Sequence, residues 1–469
     1  MIALEDDDVA TRGRAWLASL AGRRVTVVGL ARSGIAAVRL LREAGAEVVG
    51  TDVKPLTALG REAAGLRGAG VRLLTNGATE GAFEGAALVV VSPGVPFDSP
   101  QLAPARAAGL PIIGELELGW RAMEAATIAI TGTNGKTTTT ALTGALLAGQ
   151  PRPVLVAGNI GTPLAASALS FARDGLVVAE VSSFQLETID TFQPRVAAVL
   201  NITPDHLDRH GSFDAYVEAK ARIFQNQVPT DCAVLNADDP AAAALASRTR
   251  AHVLWFSRRR VLEHGVFVAY DGWVAARLNG HVEAICPLAE IQLRGQHNVE
   301  NVLAATACAL WLGLRTEAIR RGIGRFRAVE HRIEFVRDLR GVQFYNDSKG
   351  TNVASTIKAL ESFGERVVLI AGGKGKGQDF APLAEAARGR VAHAVVIGED
   401  GPKIAAALAG VGILVSAAPT MQAAIEAARA HAGRGGVVLL SPACASFDMF
   451  DSYEHRGDVF KKLVGALDS

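Results

Sequence analysis

Residues Ala129–Thr140, AITGTNGKTTTT, combine glycine, lysine and threonine at a spacing that suits phosphate binding. In the common phosphate loop, G-x-x-x-x-G-K-[ST], the first glycine would stand at position 130, which is Ile130 here. Gly132 and Gly135 still permit close approach of the backbone to a phosphate, Lys136 offers a positive charge, and Thr137 offers a hydroxyl to Mg²⁺. An apolar run leads in and a helical stretch leads out. The sequence therefore predicts a nucleotide phosphate site, against the alternative of a threonine-rich turn with a solvated lysine.

Further polar side chains follow other apolar runs. Glu180 ends the run LVVAE, where a carboxylate is costly unless it is paired or binds a metal. In phosphate-loop proteins an acid on a neighbouring strand commonly serves Mg²⁺, and a salt bridge is the alternative. Four more candidates follow the run VAAVLNIT: Asp205, His206, Asp208 and His210. One of these histidines could be a metal ligand or an orienting group, although each alone is typical of an ordinary loop.

Lys220 stands in an apolar pattern. After Ser212, a predicted N-cap, the apolar residues Phe213, Val217 and Phe224 leave position 220 to complete a 4-3-4 spacing. Burial disfavours the charged amine and can lower a lysine pKa by roughly 3–5 units. A neutral amine can take up CO2 as a carbamate, which would provide a carboxylate suited to Mg²⁺. The alternative is a lysine whose amine reaches solvent.

Three polar clusters follow strands of the last third of the chain: Tyr345–Asn352 (YNDSKGTN), Gly372–Phe380 (GGKGKGQDF) and Ser441–Gly457 (SPACASFDMFDSYEHRG). Ligands bind at the carboxyl ends of strands in open α/β sheets, so the clusters predict one site for a small anionic ligand. Ser446 follows Cys444 closely, but without a G-x-S-x-G elbow serine hydrolase chemistry is not expected.

Near the N-terminus, Gly29–Gly34 reads G-x-A-x-x-G between a predicted strand and helix, with Asp52 ending the next strand. This pattern is one glycine short of the dinucleotide fingerprint. It could mark an NAD-dependent oxidoreductase, a diphosphate site at a helix N-terminus, or a tight turn. The missing glycine favours the diphosphate site over the NAD site.

The elements that must position these residues alternate between short apolar strands and Ala- and Leu-rich helices, which predicts α/β architecture with mainly parallel sheets. We predict three domains: a Rossmann-like domain at residues 1–114, a central P-loop-type ATPase domain at 115–328, and a C-terminal Rossmann-like domain at 329–469. Between about Ala251 and Leu293, alternating segments predict a small β insert in the central domain.

Composition excludes several classes of protein. The 469 residues contain 48 Lys+Arg and 47 Asp+Glu, so no overall basic charge favours nucleic acid. The four cysteines are widely spaced, which argues against a disulfide framework or a zinc site. The acidic start MIALEDDDVATRGR is unlike a signal peptide, and no apolar run is long enough to span a membrane. We expect a cytoplasmic protein.

Taken together, the motifs resemble the Mur ligase family of ATP-dependent amino-acid ligases in peptidoglycan synthesis. The loop TGTNGKTT resembles that family's variant of the phosphate loop, and further segments match in order along essentially the whole chain: GNIG, EVSSFQLE, NITPDHLDRH, YVEAKARIF, HNVENVLAA and EHRIEFV. NDSKGTN and SPACASFDMF resemble the member that adds D-glutamate. The resemblance implies that ATP phosphorylates the carboxylate of UDP-N-acetylmuramoyl-L-alanine and that the amine of D-glutamate attacks the acyl phosphate.

The resemblance also implies roles for individual residues. Lys136, His206 and Lys220 are the implied catalytic residues; Mg²⁺ would be held by Thr137, Glu180, His206 and a carbamylated Lys220. The implied contacts of ATP are Thr133, Asn134, Gly135, Lys136, Thr137, Thr138, Thr139, Asn298, Asn301, Arg332 and Asp347. Those of the UDP-substrate are Ser33, Asp52, Lys54, Ser92 and Asn159. Those of D-glutamate are Lys349, Thr351, Lys376, Ser446, Phe447 and Tyr453.

Some positions depart from the family pattern. Val53-Lys54 replaces a frequent Thr-Arg, Lys374 stands where an acid is common, and Tyr453 stands where Phe is frequent. The alternatives are an NAD-dependent oxidoreductase, a non-catalytic nucleotide-binding switch, and a ligase of the same family that adds L-glutamate. We expect a monomer with small-molecule substrates, no nucleic-acid partner and no membrane insertion.

Overall fold

The computed structural model describes residues 12–327, 329–375 and 377–467, with Asp208 described by its backbone alone. The first eleven residues, the predicted boundary residue Ala328 and the predicted site residue Lys376 lie outside the described residues. The chain divides into two compact units. Unit 1 comprises the described residues up to Glu290 together with Glu300–Gly324, and unit 2 comprises Ile291–Val299 and the described residues from Arg325 onward.

The first sheet of unit 1 has, within the described chain, five parallel strands in the order β3-β2-β1-β4-β5. Its strands are β1 Arg24–Val28, β2 Glu47–Thr51, β3 Arg72–Leu74, β4 Ala86–Val91 and β5 Ile112–Gly114. The accompanying helices are α1 Arg14–Ala18, α2 Arg32–Glu43, α3 Leu56–Gly65, α4 Ala103–Ala107 and α5 Glu115–Ala122. Near-continuous apolar runs such as LVVV in β4 are buried because helices cover both faces of a parallel sheet.

The second sheet of unit 1 has the order β14-β13-β12-β11-β10-β9-β6-β8-β7 among the residues described. Its strands are β6 Ala126–Thr131, β7 Val154–Gly158, β8 Leu176–Glu180, β9 Val196–Val199, β10 Cys232–Asn236, β11 His252–Ser257, β12 Gly265–Val268, β13 Trp273–Leu278 and β14 His281–Pro287. The strands from β7 to β12 pair in parallel, whereas β12, β13 and β14 are antiparallel. The predicted β insert is therefore present, and it extends the edge of the central sheet.

The helices that follow β6 and precede β15 along the chain are numbered α6 to α12. They are α6 Lys136–Leu147, α7 Ser183–Leu186, α8 Leu207–His210, α9 Phe213–Ala221, α10 Pro240–Ala244, α11 Gln296–Trp311 and α12 Thr316–Arg325. The predicted N-cap Ser212 is confirmed, since its side chain accepts a hydrogen bond from the N–H of Ala215. In the described part of the chain, no helix is long and apolar enough to cross a membrane.

Unit 2 contains a sheet of order β15-β16-β20-β17-β18-β19, counted over the described residues. Its strands are β15 Glu334–Leu339, β16 Val342–Asn346, β17 Val367–Gly372, β18 Val391–Ile397, β19 Val415–Ala417 and β20 Val437–Leu440. Its helices are α13 Val353–Leu360, α14 Ala381–Ala387, α15 Gly401–Gly410, α16 Met421–Ala432 and α17 Tyr453–Gly465. Only β15 is antiparallel to its neighbour. The run GILVSAA forms a shorter strand than predicted because β19 lies at the sheet edge, where Leu414 is exposed.

The α/β class and the parallel sheets predicted from the sequence are confirmed. The three sheets span residues 24–114, 126–287 and 334–440. The proposed domain boundaries near residues 114 and 328 stay predictions.

One buried carboxylate anchors α5 within unit 1. Glu117 is fully buried, and its Oε1 accepts hydrogen bonds from Arg121 Nε at 2.6 Å, Thr191 N at 2.9 Å and Thr191 Oγ1 at 2.7 Å. Its Oε2 accepts from the N–H groups of Asp190 at 3.0 Å and Phe192 at 2.9 Å. Both oxygens are therefore satisfied, and α5 is tied to the 190–192 turn.

We expect Glu117→Gln to destabilise unit 1 by about 3 kcal/mol, because an amide NH2 cannot accept bonds and Arg121 loses its buried partner. The urea midpoint of the transition that unfolds unit 1 measures this loss. Glu62→Gln on exposed α3 is the control and should leave the midpoint nearly unchanged, since its ion pair with Arg39 is on the surface. Equal midpoints for Glu117→Gln and the parent protein would contradict the prediction.

Candidate active site

In unit 1, four adjacent strands end at one edge of the second sheet. They stand in the order β9-β6-β8-β7, and all are parallel. The segment 132–135 follows β6, Glu180 ends β8, Asn159 follows β7, and Asn201 lies just beyond β9. Because parallel strands share the direction of their carboxyl ends, residues far apart in the sequence meet here.

The loop after β6 turns directly into α6. Gly132 has φ 150° and Gly135 has φ 84°, and residues with side chains rarely adopt either. A Cβ added at Gly135 would lie 2.2 Å from Asn301 Oδ1. Gly135 is therefore required both by its backbone conformation and by the space that Asn301 occupies.

Neighbouring strands brace this loop. The N–H of Asn134 donates to Asn201 Oδ1 at 2.8 Å, and Asn201 Nδ2 donates to the carbonyl of Asn134 at 3.1 Å. Thr133 Oγ1 contacts the carbonyl of Thr203 at 3.1 Å and the hydroxyl of Tyr216 at 3.2 Å. These bonds hold the loop at the start of α6, and the first N–H groups of a helix are suited to anion binding.

Lys136 and the threonines after it lie at the start of α6. Lys136 Nζ donates to the carbonyls of Gly132 at 2.8 Å and Thr133 at 2.9 Å, which holds its charge at the loop. Thr137, Thr138 and Thr139 are buried, and Thr139 Oγ1 donates to Asn301 Oδ1 at 3.2 Å. The same asparagine thus touches both the loop glycine and the helix.

Glu180 is buried at the end of β8. Its Oε1 accepts from Asn159 Nδ2 at 2.7 Å, while its Oε2 is buried without a hydrogen-bond partner among the described residues. A buried carboxylate oxygen without a partner is costly unless a cation or a donor meets it. The salt-bridge alternative is not observed: no ion pair of Glu180 occurs among the described side chains.

Lys220 is buried, as its sequence pattern predicts. It is 1% exposed, its Nζ donates to the carbonyl of Gly132 at 3.0 Å, and it lies 4.6 Å from the ring centroid of Tyr216. Burial lowers its pKa well below the usual lysine value, and the charge of Lys136 lowers it further, against the opposing effects of Asp205 and Glu180. The amine therefore has access to its neutral form.

The two candidate histidines differ in their surroundings. His206 is half exposed, with φ 51°, and it contacts Asp205, whose Oδ2 lies 3.7 Å from Nε2, and the ring of Phe184. His210 is bonded to Ser183 Oγ at 3.0 Å and lies 3.4 Å from Glu187, and burial lowers its pKa. His210 is thus engaged in holding α7 and α8, which leaves His206 as the more accessible imidazole.

Over the described residues, no three His, Cys, Asp or Glu side chains form a group that could hold a metal ion. A fully protein-built metal site is therefore not present in the described chain. Glu180 Oε2, which has no hydrogen-bond partner among the described residues, instead fits a Mg²⁺ ion that takes one or two protein ligands, with ligand oxygens and water for the rest.

The predicted UDP-site residues lie at the carboxyl ends of β1, β2 and β4. Asp52 Oδ2 accepts from the N–H of Leu30 at 2.7 Å and Oδ1 accepts from the N–H of Lys54 at 2.9 Å. Ser92 Oγ donates to the carbonyl of Gly29 at 2.7 Å. Asp52 and Ser92 are buried, Ser33 is half-buried and Lys54 is exposed. Asp52 and Ser92 thus brace the glycine turn.

In unit 2, the three predicted polar clusters meet because β16, β20 and β17 are adjacent. The N–H of Ala443 donates to the carbonyl of Gly350 at 2.8 Å, and the N–H of Gly372 donates to the carbonyl of Pro442 at 2.8 Å. Lys374 and Ala445 exchange two backbone hydrogen bonds, at 2.9 Å and 3.0 Å. Backbone bonds therefore connect all three loops.

Asp347 is the buried acid of this region. Its Oδ2 accepts from Ser441 Oγ at 2.7 Å and its Oδ1 from the N–H of Ile333 at 3.2 Å. Burial raises its pKa to about 6, against the effects of Ser441 and Arg332, which lower it. Arg332 Nε is itself buried with no hydrogen-bond partner in the described part of the chain, so both side chains retain capacity for a ligand.

The predicted amino-acid-binding residues lie on these loops. Lys349 Nζ is 5.7 Å from the ring centroid of Tyr453, Ser446 is buried, and Phe447 is exposed. Thr351 is half-buried, and Lys376 lies outside the described residues. Asn298 belongs to unit 2, where its Nδ2 donates to the carbonyl of Arg294 at 2.6 Å, whereas Asn301 belongs to unit 1.

The sequence did not reveal the structural roles of four residues at the sites: Asn201 and Tyr216 in unit 1, and Ser441 and Arg456 within the predicted cluster Ser441–Gly457. Arg456 is fully buried and bonds Ser348 Oγ at 2.9 Å, the Ser348 carbonyl at 2.8 Å and the Cys444 carbonyl at 3.1 Å. Burial lowers its pKa to about 10. A helix pattern with Arg456 four residues before the buried Phe460 was an available signal, since it placed a cation on an apolar face.

Comparison with known proteins matches family profiles to three segments. Residues 23–114 match the profile described as Mur ligase MurD-like, N-terminal domain. Residues 130–309 match the Mur ligase middle domain, and residues 331–444 match the Mur ligase, glutamate ligase domain.

Curated relatives cover nearly the whole chain. The UDP-N-acetylmuramoylalanine–D-glutamate ligase of Acidobacterium capsulatum is 49% identical over 447 residues, 95% of this chain and 96% of its own length. The ligase of the same name from Pelotomaculum thermopropionicum is 47% identical over 446 residues, 95% of this chain and 98% of its own.

Solved structures share the fold. The UDP-N-acetylmuramate-alanine ligase of Thermotoga maritima superposes with a TM-score of 0.59 at 19% identity, covering 94% of this chain and 99% of its own. MurF from Acinetobacter baumannii gives a TM-score of 0.60 at 18% identity, covering 97% and 99%. With three family profiles in order and relatives near half identity over almost its full length, the chain belongs to the Mur ligase family.

Proposed function

We propose that the chain is an ATP-dependent ligase that joins D-glutamate to UDP-N-acetylmuramoyl-L-alanine, releasing ADP and phosphate, in peptidoglycan precursor synthesis. Relatives that are 49% and 47% identical over 95% of the chain carry the name of this activity. The single structural observation that supports it most is the buried, unpartnered oxygen of Glu180 beside the loop that ends in Lys136 and Thr137.

The chemistry follows from the nature of a carboxylate, which is a poor acyl donor until phosphorylation of one oxygen converts it into an acyl phosphate, a mixed anhydride. In the proposed reaction a carboxylate oxygen attacks the γ-phosphorus of ATP, and the bond from that phosphorus to the β–γ bridging oxygen breaks. The amine of D-glutamate then attacks the acyl carbon, and phosphate leaves as the amine loses a proton. Both steps bring anions together, so a nearby cation must offset their repulsion.

Lys136 supplies one positive charge at the phosphates, and other side chains of this protein are proposed to bind Mg²⁺, which supplies more. Lys136 would move its three donors from the loop carbonyls to phosphate oxygens, and the N–H groups at the start of α6 would bind the same phosphates. Thr137 and Glu180 are the proposed ligands of one Mg²⁺ ion, and His206 and a carbamylated Lys220 are those of a second. Bound Mg²⁺ would neutralise phosphate charge. Asn159 would orient Glu180 and contact the muramoyl group.

In unit 2, we propose that Arg332, Asp347 and Asn298 contact ATP. Lys349, Thr351, Ser446, Phe447, Tyr453 and Lys376 are proposed to hold the amino acid. The meeting of the three loops supports a single small-ligand site there. The site in the first sheet, with Ser33, Asp52, Lys54 and Ser92, is proposed for UDP. We further propose a cytoplasmic monomer with no nucleic-acid partner.

The NAD-dependent oxidoreductase is not favoured. The curated relatives are named as ligases, and both oxygens of Asp52 already accept backbone hydrogen bonds that brace the turn. A non-catalytic nucleotide switch would leave the buried Lys220 without a role.

A phosphate-release assay with the complete protein tests the activity. We expect release of phosphate and ADP that requires ATP, UDP-N-acetylmuramoyl-L-alanine and D-glutamate together. L-glutamate and L-alanine serve as matched controls, and each should support less than about a tenth of the rate, since a misplaced carboxylate loses at least one charged contact. A higher rate with L-glutamate would support the L-specific alternative, and no release with any amino acid would overturn the proposal.

We also propose that Lys220 carries a carbamate. Its neutral amine would attack CO2, forming a nitrogen–carbon bond and losing one proton, which converts a neutral side chain into an anion near Lys136. The pKa of Lys220, lowered by burial, favours the neutral amine that this step needs. The resulting carboxylate would suit a metal ion better than an amine does.

Lys220→Ala should reduce turnover by at least about a thousandfold, because a group that holds charge against the phosphates is lost. Bicarbonate or acetate, added to the variant, should partly restore the rate by supplying a small carboxylate to the vacated space. Lys461→Ala, on the surface of α17, is the control and should not respond to acetate. Full turnover in Lys220→Ala would refute the carbamate, and so would the absence of the added mass of CO2 from intact wild-type protein near neutral pH.

A further inference from the structure

Glu115 is a buried carboxyl that the proposed reaction does not use. It begins α5 and is 1% exposed. Its Oε1 accepts a hydrogen bond from the N–H of Ala165 at 2.8 Å, and its Oε2 is buried with no hydrogen-bond partner among the described residues. A carboxyl in this state is costly to retain, which calls for a role.

The segment that Glu115 contacts leads back to the candidate active site. Ala165 lies in the 3-10 turn Leu164–Ser167, which is separated from the GNIG stretch by two residues. At the other end of that stretch, the N–H of Asn159 donates to the Glu180 carbonyl at 2.8 Å and Asn159 Nδ2 donates to Glu180 Oε1 at 2.7 Å. The 158–165 segment is therefore fixed to β8 at one end and to α5 at the other.

The middle of the segment is held as well. A guanidinium nitrogen of Arg32, on α2, donates to the carbonyl of Gly161, and the N–H of Gly158 donates to the carbonyl of Thr162 at 2.9 Å. Helix α5 approaches the turn so closely that a Cβ at Gly119 would lie 2.6 Å from the nitrogen of Ala165. The segment is therefore in close contact with both α2 and α5.

The charges around Glu115 are few. Helix α5 packs against α1, α2, β4, β5 and the 164–167 turn. The turn and the two strands have no titratable side chain, and α1 carries the exposed Arg14. Helix α2 carries Arg32, Arg39, Arg42 and Glu43, of which Arg32 acts on Glu115. The 190–192 turn, bonded to α5 through Glu117, carries Asp190, whose carboxylate pairs with Arg121. Burial raises the pKa of Glu115 to about 7, while the N–H groups of Ala165 and Leu164 and the charge of Arg32 lower it. Both protonation states are therefore accessible near neutral pH, and the contacts with the turn and Arg32 are stronger in the ionised state.

We propose that Glu115 is a positioning residue for the 158–165 segment: it holds the turn that presents Asn159 to Glu180, and its hold strengthens when the carboxyl ionises. The inference rests on the proposed function, in which Asn159 contacts the UDP-substrate. Glu115 touches neither substrate nor metal in this proposal. Asn159 is held at Glu180 by its own N–H and Nδ2, neither of which bonds to Glu115. Loss of the Glu115 contact should therefore disturb the substrate side of the segment, which changes KM and leaves kcat nearly constant.

The test compares wild type with Glu115→Gln, which keeps an acceptor oxygen but cannot ionise, from pH 6 to pH 8.5. At pH 8.5 the variant should show about a tenfold higher KM for UDP-N-acetylmuramoyl-L-alanine with kcat within about twofold. At pH 6 wild-type Glu115 is mostly protonated, so the ratio of the two KM values should fall to about one. A ratio that stays constant across this range, or that equals one throughout, would overturn the inference.

Controls separate this outcome from a general loss of stability and from failure of the proposed function. Asp231→Asn removes another buried carboxylate, paired with Arg195 at 3.1 Å, and should lower the melting temperature without a pH-dependent KM ratio. Wild type without ligase activity would instead refute the proposed function. If Glu115→Gln does not fold, hydrogen exchange at the Ala165 amide of wild type decides. The protection of the Ala165 amide against exchange, after correction for the intrinsic exchange rate at each pH, should rise between pH 6 and pH 8.5. A protection that stays constant over this range would refute the inference.

Discussion

A parallel strand directs its carboxyl end to the same edge of the sheet as its neighbours, and both candidate ligand-binding regions depend on this constraint. In unit 1 the strands β9, β6, β8 and β7 place Asn201, the 132–135 loop, Glu180 and Asn159 along one edge. In unit 2 the adjacent strands β16, β20 and β17 bring the loops that follow them into backbone contact. The hydrogen bonds, burial and pKa shifts of the sites follow from that gathering.

Charge balance within unit 1 is the second organising feature. The carbonyl of Gly132 accepts from both Lys136 and Lys220, so two amines share one acceptor in a buried region. The positive charge of Lys136 disfavours a second positive charge on Lys220, and this adds to burial in lowering the pKa of Lys220. Glu180 opposes that effect from the next strand. Such a cluster is poorly satisfied within the protein alone, and an anionic ligand with a metal ion would balance it.

Helix α5 contains two buried carboxylates of different character. Glu117 has both oxygens satisfied and joins α5 to the 190–192 turn, so it acts through stability. Glu115, two residues earlier, has one oxygen satisfied and the other without a partner among the described residues, with a pKa raised to about 7. The difference arises from the number of N–H groups that reach each side chain, and it separates a fixed anchor from a group that titrates near neutral pH.

The sequence by itself determined the α/β class, the apolar runs that became strands, the glycine loop between β6 and α6 and the burial of Lys220. These properties depend on local periodicity and on glycine, lysine and threonine at short spacing, which a chain displays before it folds. It also indicated that the three polar clusters of the last third share a site, because each follows a strand. The resemblance of its motifs to the Mur ligases identified the family.

Only the tertiary structure decided which polar atoms are satisfied. The sequence could not distinguish Glu180 as a salt-bridge partner from Glu180 with an unpartnered oxygen, nor His210, bonded to Ser183, from the accessible His206. It gave no sign that Asn201 and Tyr216 brace the loop, and the helix pattern that placed Arg456 on an apolar face did not reveal that Arg456 connects Ser348 with Cys444. Each of these facts depends on contacts between residues far apart in the chain, whose distance and orientation are set by strand order and helix packing and not by local sequence.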